Sequence, residues 1–381
     1  MTLLLQSNKN CKGLYRFLIA FISLLIFSSC SQNENTFYPT NIDDVTQEIK
    51  GAKFTYDTLK SPFKLFIAGD HLFVTQDGKV NFDEPMIHVF DKETMARVAS
   101  IGQNGMGPNE MLFASLLDFD QSDSSVVVFD SRSKRFSKFD IQFAPQSNLL
   151  AQEQNVLPSD MFDSYKTYKA SDSTYLGVST QKEYIFNEYD LDGEWITGYV
   201  TWPQVANEKQ LAGYSGIERN YLLGEINRGS FKKEVAGNWY ALAMNYRDRI
   251  ELFNYKTKEV RTIEGPELID EIQPFRIAGA GSNLGGAYDF FEAVATYRDV
   301  TFKPKYLYAL YAGTSQNEYK ETGILAETIF VFGYDMKLKG KLLLDKSASA
   351  LDVDEELGKI YTITTDENPG IAVYDIPSFL F

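Results

Sequence analysis

The chain has 381 residues, 44% of them hydrophobic and 23% charged, with 28 Phe and 23 Tyr. That length allows two ordinary domains or one large all-β domain, and the aromatic content favours half-buried pleated surfaces. A net charge of -15 repels phosphate backbones and argues against a nucleic-acid partner, while two cysteines and two histidines leave little material for disulfides, thiolate metal sites or histidine triads.

The first residues read as a targeting segment. Lys9, Lys12 and Arg16 form a basic region ahead of the apolar run at residues 17–27, FLIAFISLLIF. Eleven apolar residues are too few to span a bilayer comfortably but suit a signal-peptide hydrophobic region. Ser28, Ser29 and Cys30 follow, and residues 27–30 resemble the lipobox of bacterial lipoproteins, although Phe27 stands where Leu is usual. The resemblance implies a signal peptide over 1–29, removed by cleavage, and a membrane partner reached through lipid on Cys30. Each buried CH₂ of such a lipid contributes about 0.8 kcal/mol, so several acyl chains anchor stably. Losing the leader removes Cys11 and three cations, which takes the net charge to -18. Ser31, where many inner-membrane lipoproteins carry Asp, implies the outer membrane by the same resemblance. The polar stretch SQNENT opens a tether expected over 30–47.

From residue 48 onward one strand-and-turn pattern recurs. A Gly or acidic turn precedes each of Leu72-Phe73-Val74, Val126-Val127-Val128, Tyr175-Leu176-Gly177 and Ile360-Tyr361-Thr362, and similar strands stand at Trp239-Tyr240-Ala241 and Tyr306-Leu307-Tyr308. Phe73, Val127, Leu176, Tyr240, Leu307 and Tyr361 are separated by steps of 54, 49, 64, 67 and 54 residues. Each unit closes on an aromatic followed by Asp or Asn: Phe90-Asp91, Phe139-Asp140, Tyr189-Asp190, Phe253-Asn254, Tyr334-Asp335 and Tyr374-Asp375. The carboxylate or amide can bond its own downstream backbone and start a polar hairpin tip. A four-stranded antiparallel unit cannot bury both faces alone, but radially stacked units can. The pattern therefore predicts an all-β, six-bladed β-propeller over 48–381, with a monomeric body. The two long steps are expected to hold loop insertions at 205–231 and 265–294. Nothing after Asp375 can supply an outer strand, so residues 50–59 are expected to close the last blade and remove its free edge.

Residues 101–110, IGQNGMGPNE, resemble the Gly/Pro turn of NHL-repeat and related six-bladed propellers, with Asn109 where Gly is usual. Residues 116–141 resemble their repeat body. With the lipobox, the chain resembles TolB-like six-bladed propeller lipoproteins of Bacteroidetes over about 48–377. The resemblance implies the fold. It implies no single function, because such propellers host binding, lyase, lactonase and dehydrogenase activities. Residues 102–110 read as a junction between blades, and 126–140 as the next blade's outer strands.

Few residues point to chemistry. Asp118 and Asp120, with Asp352 and Asp354 in the matching unit, could supply oxygen ligands to Ca²⁺. Asp118 and Asp352 are expected near the start of an inner strand beside the central channel. The plainer reading is that these acids punctuate a turn every blade needs. His71 and His88 stand about one strand apart and cannot build a cluster. The glycine-rich residues 279–286 lack the following helix and Lys of a phosphate loop. Trp202, Tyr214, Tyr221 and Tyr288 lie in or beside the insertions, where they could form a ligand mouth or simply pack.

Two functions follow. The first is a lipid-anchored, envelope-facing propeller that binds or scaffolds a peptide, protein or glycan, with no cofactor and no catalytic residue assigned. The alternative is a Ca²⁺-assisted hydrolase or lyase with carboxylates in the channel. The small catalytic inventory favours the first. Tyrosine and apolar side chains lining the channel would support binding, and three or more convergent carboxylates would support catalysis.

Overall fold

The computed structural model describes residues 42–381 except 79, 83, 121, 142–146, 204–210, 236, 267–274, 279–284 and 289–290. Cys30, the leader and residues 30–41 of the expected tether lie outside the described residues.

Residues from 46 on build six antiparallel sheets. From inner to outer strand, blade 1 is Pro62–Ala68, His71–Gln76, Pro85–Asp91 and Arg97–Asn104. Blade 2 is Ala114–Asp120, Ser125–Asp130, Arg135–Asp140 and Glu153–Val156. Blade 3 is Ser164–Lys169, Thr174–Ser179, Tyr184–Asp190 and Trp195–Thr201. Blade 4 is Gly229–Lys233, Trp239–Met244, Arg249–Asn254 and Val260–Glu264. Blade 5 is Ala295–Phe302, Tyr306–Thr314, Thr328–Gly333 and Leu338–Leu344. Blade 6 is Ala348–Asp354, Lys359–Thr364 and Ile371–Asp375, and its outer strand is Ala52–Phe54 from the other end of the body, with Ala52 opposite Val373. The expected closure by an N-terminal strand is therefore present.

One turn type recurs, after the third strand in blades 1 and 4, the second in blade 2 and the first in blade 6. In blade 1 the Asp91 carboxylate accepts the N–H groups of Glu93 (3.1 Å) and Thr94 (2.7 Å), and Met95 then takes a positive φ of 59°. Asp130 repeats this with Arg132, Ser133 and Lys134 (φ 54°), and Asn254 with Lys256, Thr257 and Lys258 (φ 60°). Asp354 does so with Glu356, Leu357 and Gly358 (φ 65°). The side chain satisfies two N–H groups that the hairpin leaves unpaired, which is why an acid or amide recurs there. Near the end of the third strand of five blades, an aromatic fills the space between blades. Phe90, Phe139, Tyr189, Phe253 and Tyr374 are all buried, each such ring contributing roughly 1.5–3 kcal/mol.

The structure corrects several local expectations. The recurring strand is each blade's second, because the marked turn joins it to an inner strand upstream. Asp118 and Asp352 therefore lie near the end, not the start, of their inner strands Ala114–Asp120 and Ala348–Asp354. Residues 126–140 form the second and third strands of blade 2, whose outer strand Glu153–Val156 is exposed and carries no hydrophobic alternation. Gly102 lies within the strand Arg97–Asn104, and the chain turns after Asn104. The insertion over 205–231 contains the helix Gly216–Ile226, which buries Leu222, Leu223 and Ile226 against blades 3 and 4. The second insertion contains a hairpin pairing Phe275–Ala278 with Gly285–Tyr288. The body also begins before residue 48: Thr46–Ile49 runs parallel to Leu338–Leu344 as a fifth strand of blade 5.

Candidate functional site

The inner strands of blades 2, 3 and 4 end around a cleft of about 780 Å³. Such a volume lies in the range of small-ligand sites. Asp118 and Asp120 line it from blade 2, Thr167, Tyr168 and Asp172 from blade 3, and Lys233 and Tyr240 from blade 4. Tyr175 and Tyr255 add two half-buried rings, and Lys138 and Glu153 add charge at the blade 2 side.

The charged groups of the cleft hold one another. Lys233 on blade 4 reaches past blade 3 to Asp118 on blade 2, with Nζ–Oδ2 at 2.5 Å. Burial pushes the Asp118 carboxyl above its ordinary range despite that ammonium. Asp120 accepts the Ser122 N–H at 3.0 Å and lies 3.5 Å from Lys138, and its hydrogen bonds from Ser122 hold its carboxyl low. Tyr255 donates to Glu188, which also accepts from Tyr199 at 2.5 Å, and the Tyr255 and Thr174 hydroxyls lie 2.8 Å apart. Burial raises the phenols of Tyr168, Tyr240 and Tyr255, so all remain protonated donors at neutral pH.

Deeper in the ring a second pair skips a blade. Lys64 on blade 1 reaches past blade 6 to Asp299 on blade 5, with Nζ–Oδ1 at 3.0 Å. Ser230 of blade 4 donates to the same oxygen at 2.9 Å, and the Leu351 N–H of blade 6 approaches Oδ2 at 3.4 Å. Two pairs, each bridging non-adjacent blades, mark the central channel as charged rather than apolar.

The four acids proposed from sequence fall into two separate places. Asp118 and Asp120 belong to the cleft. Asp352 accepts the Ile67 N–H (2.7 Å), the Thr301 hydroxyl (2.8 Å) and the Lys303 ammonium (2.7 Å). Asp354 pairs with Lys92 at 2.7 Å besides its turn bonds. Each carboxylate is thus already a tie between chain segments. Among the described residues no group of three His, Cys, Asp or Glu side chains is placed to hold a metal ion. His88 is buried beside Gln76 (3.1 Å), and burial pushes its imidazole down to about 4, so it stays neutral at physiological pH.

The aromatic set is divided as well. Trp202 is 4% exposed, donates its indole N–H to the Lys182 carbonyl at 3.0 Å and belongs to the core. Tyr214 packs against that core, Tyr221 lies on the helix Gly216–Ile226, and Tyr288 ends the insertion hairpin. Trp202, Tyr214 and Tyr221 are not among the residues that line the cleft. Sequence reasoning missed Tyr168, Tyr175, Tyr255 and Lys233 as site residues. Tyr240 stood out only as a repeat position.

Six closed blades around a charged channel define a propeller, and the sequence places it in a family. The profile of the TolB-like 6-blade propeller-like family matches residues 40–356, and the chain belongs to that family. No protein of curated function matches it significantly. Among solved structures it is similar to a Bacteroides fragilis protein described as exported, at 13% identity and a TM-score of 0.52, covering 89% of this chain and 98% of that one. It is equally similar in fold to a DUF4221-family member from Bacteroides vulgatus, at 11% identity and a TM-score of 0.52, covering 86% and 98%. These likenesses establish the fold.

Proposed function

We propose that the protein is an exported, lipid-anchored binding propeller. It takes a polar ligand with ring or amide faces, a glycan or a peptide, in the cleft of blades 2–4. One observation carries this reading: the cleft combines tyrosine walls with two acids, Asp118 and Asp120, already paired with lysines. Rings stack on sugar or peptide faces, and protonated phenols donate hydrogen bonds. Asp118 and Asp120 are occupied by Lys233 and Lys138, so the cleft offers recognition before it offers a free base. Phe27–Cys30 in the leader supports anchoring at Cys30, and the exported description of the B. fragilis structure agrees with an envelope location.

The test is calorimetric titration of the full chain with a panel of neutral oligosaccharides and peptides. A saturable ligand is expected, bound about tenfold more weakly by Tyr175→Ala, since loss of one stacking ring is worth roughly 1–1.5 kcal/mol. A panel without any binder, or binding indifferent to Tyr175→Ala and Tyr255→Ala alike, overturns the reading. Membrane fractionation of Cys30→Ser tests the anchor, and retention of that variant in the membrane rules it out.

A further inference from the structure

The charges at the channel do not balance. Lys64, Lys166 and Lys232 stand on the inner strands of blades 1, 3 and 4, and Arg298 adjoins Asp299 on blade 5. Asp299 answers only Lys64 with a direct ion pair, at 3.0 Å. The Lys166 ammonium forms no ion pair among the described residues. It donates to the Gly229 carbonyl at 2.8 Å and lies 5.9 Å from the centre of the Tyr165 ring, a ring that Arg228 also covers at 5.5 Å. Arg228 has Glu225 at 3.1 Å, but Lys232 and Arg298 form no ion pair among the described residues. The Thr167 hydroxyl, next to Lys166, is buried without a hydrogen-bond partner among them.

Acids are not scarce in this chain, which has 52 Asp and Glu against 37 Lys and Arg. Cations gathered at a channel in excess of its one carboxylate among the described residues, Asp299, are therefore a specific placement. A desolvated cation without a partner is unfavourable, and folds normally neutralise it or pair it. These groups also feel one another. Burial first, then Lys64, lowers the proton affinity of Lys166 against the opposing pull of Asp299, and burial lowers that of Lys64 although Asp299 opposes it there too.

We propose that Lys64, Lys166 and Lys232 form an anion subsite that takes the carboxylate or phosphate group of a small ligand. Lys166 directly precedes Thr167 and Tyr168, and Lys232 precedes Lys233, so the subsite lies on the strands that wall the cleft. The proposal rests on the binding reading for the rest of the ligand and adds the charge that ligand carries. An entering anion supplies what Lys166 and Lys232 lack, and Asp299 keeps Lys64 in place when the subsite is vacant.

The test uses inorganic phosphate and glucuronate as probes, with glucose as the uncharged control, titrated calorimetrically into the full chain at low ionic strength. At least one anion is expected to bind with saturation, and Lys166→Met and Lys232→Met should each weaken it about tenfold or more. Phosphate without glucuronate identifies a phosphate ligand, and the reverse a carboxylate. Lys166→Met removes a part-buried cation that no carboxylate among the described residues pairs, so it is expected to melt no lower than wild type. Lys232→Met, at a part-exposed position, gives a second reading if Lys166→Met fails to fold. The proposal is overturned if neither anion binds more tightly than about 10 mM, or if both variants bind as wild type does. Phosphate binding together with an empty neutral panel would sink the cleft reading and leave this one standing.

Discussion

Replacing Asp299 with alanine removes the carboxylate that ties blade 5 to three others. It accepts from Lys64 of blade 1, Ser230 of blade 4 and the Leu351 N–H of blade 6, and its side chain is fully buried. At 3.0 Å and an effective dielectric of about 20, the Lys64 attraction alone is roughly 5–6 kcal/mol, much of it offset by desolvation of both ions. The single change, however, strands Lys64, whose side chain is 13% exposed, beside Lys232 and Arg298. We expect a loss of about 3–5 kcal/mol. The double change Lys64→Met with Asp299→Leu leaves no orphaned charge and should lose less than about 2 kcal/mol. Urea unfolding of wild type, both singles and the double, compared through midpoints at a common slope, gives the coupling energy. Acid adds an independent readout. Burial would raise the Asp299 carboxyl, but Lys64 and Lys232 overcome it and hold it below its ordinary range. A folded-state value below the unfolded one means that the stabilisation is fully present above roughly pH 4 and is lost as pH falls through the folded value. The double variant should lack that acid-dependent loss. A coupling below about 0.5 kcal/mol, or identical acid slopes in wild type and the double variant, refutes the reasoning.

Two further outcomes follow from the frame. Removing residues 42–55 strips the outer strand from blade 6 and the parallel strand from blade 5, exposing both edges. Gel filtration should show association or loss of soluble protein, and a monomer of unchanged melting temperature would show that ring closure does not need these strands. Gly102 holds φ +61°, and a Cβ there would come 2.6 Å from the Met111 methyl. The methionine can swing aside but the backbone strain stays, so Gly102→Ala should cost about 1–2 kcal/mol in the same urea assay. A change under about 0.3 kcal/mol would mean that the strand relaxes to another conformation.

What was legible in the sequence is what each blade must solve locally. The hairpin after Asp91, Asp130 or Asn254 needs its acceptor within three residues, and a buried ring sits immediately before it, so a short window contains the signal. Outer strands gave no such signal. Glu153–Val156 is polar and exposed, and Ala52–Phe54, more than 300 positions from its partner strand Ile371–Asp375, was foreseen only from the need to close the ring. The helix Gly216–Ile226 was also hidden. Gly216 and Gly224 read as loop residues, and its buried side chains Leu222, Leu223 and Ile226 span little more than one turn. Gly224 is required there because the helix lies against Thr180, whose Cα would be 2.6 Å from a Cβ. The candidate site was the least legible part. Lys64, Lys166 and Lys232 are each unremarkable alone, and only closure of the ring brings blades 1, 3 and 4 around one axis. The acids behaved in the opposite way. Asp118, Asp120, Asp352 and Asp354 stood out by recurrence, and recurrence reflected their work as turn caps and lysine partners.

The two signs of charge act over different ranges, and this bears on which anion could reach the channel. The exterior carries the excess of acid, and its field is screened beyond a Debye length of about 8 Å at physiological ionic strength. A long polyanion must lay many charges along that surface and is repelled along its whole length. A small anion meets the same repulsion once, and only while it approaches. Inside, screening is weak, and Lys166 and Lys232 offer contacts that no carboxylate among the described residues occupies in an ion pair. Size selection then needs no lid: the acidic exterior disfavours polymers, and the basic channel holds what is small enough to enter. The Lys64–Asp299 pair fits this arrangement, because an internal carboxylate limits the local excess of positive charge enough for the empty channel to fold.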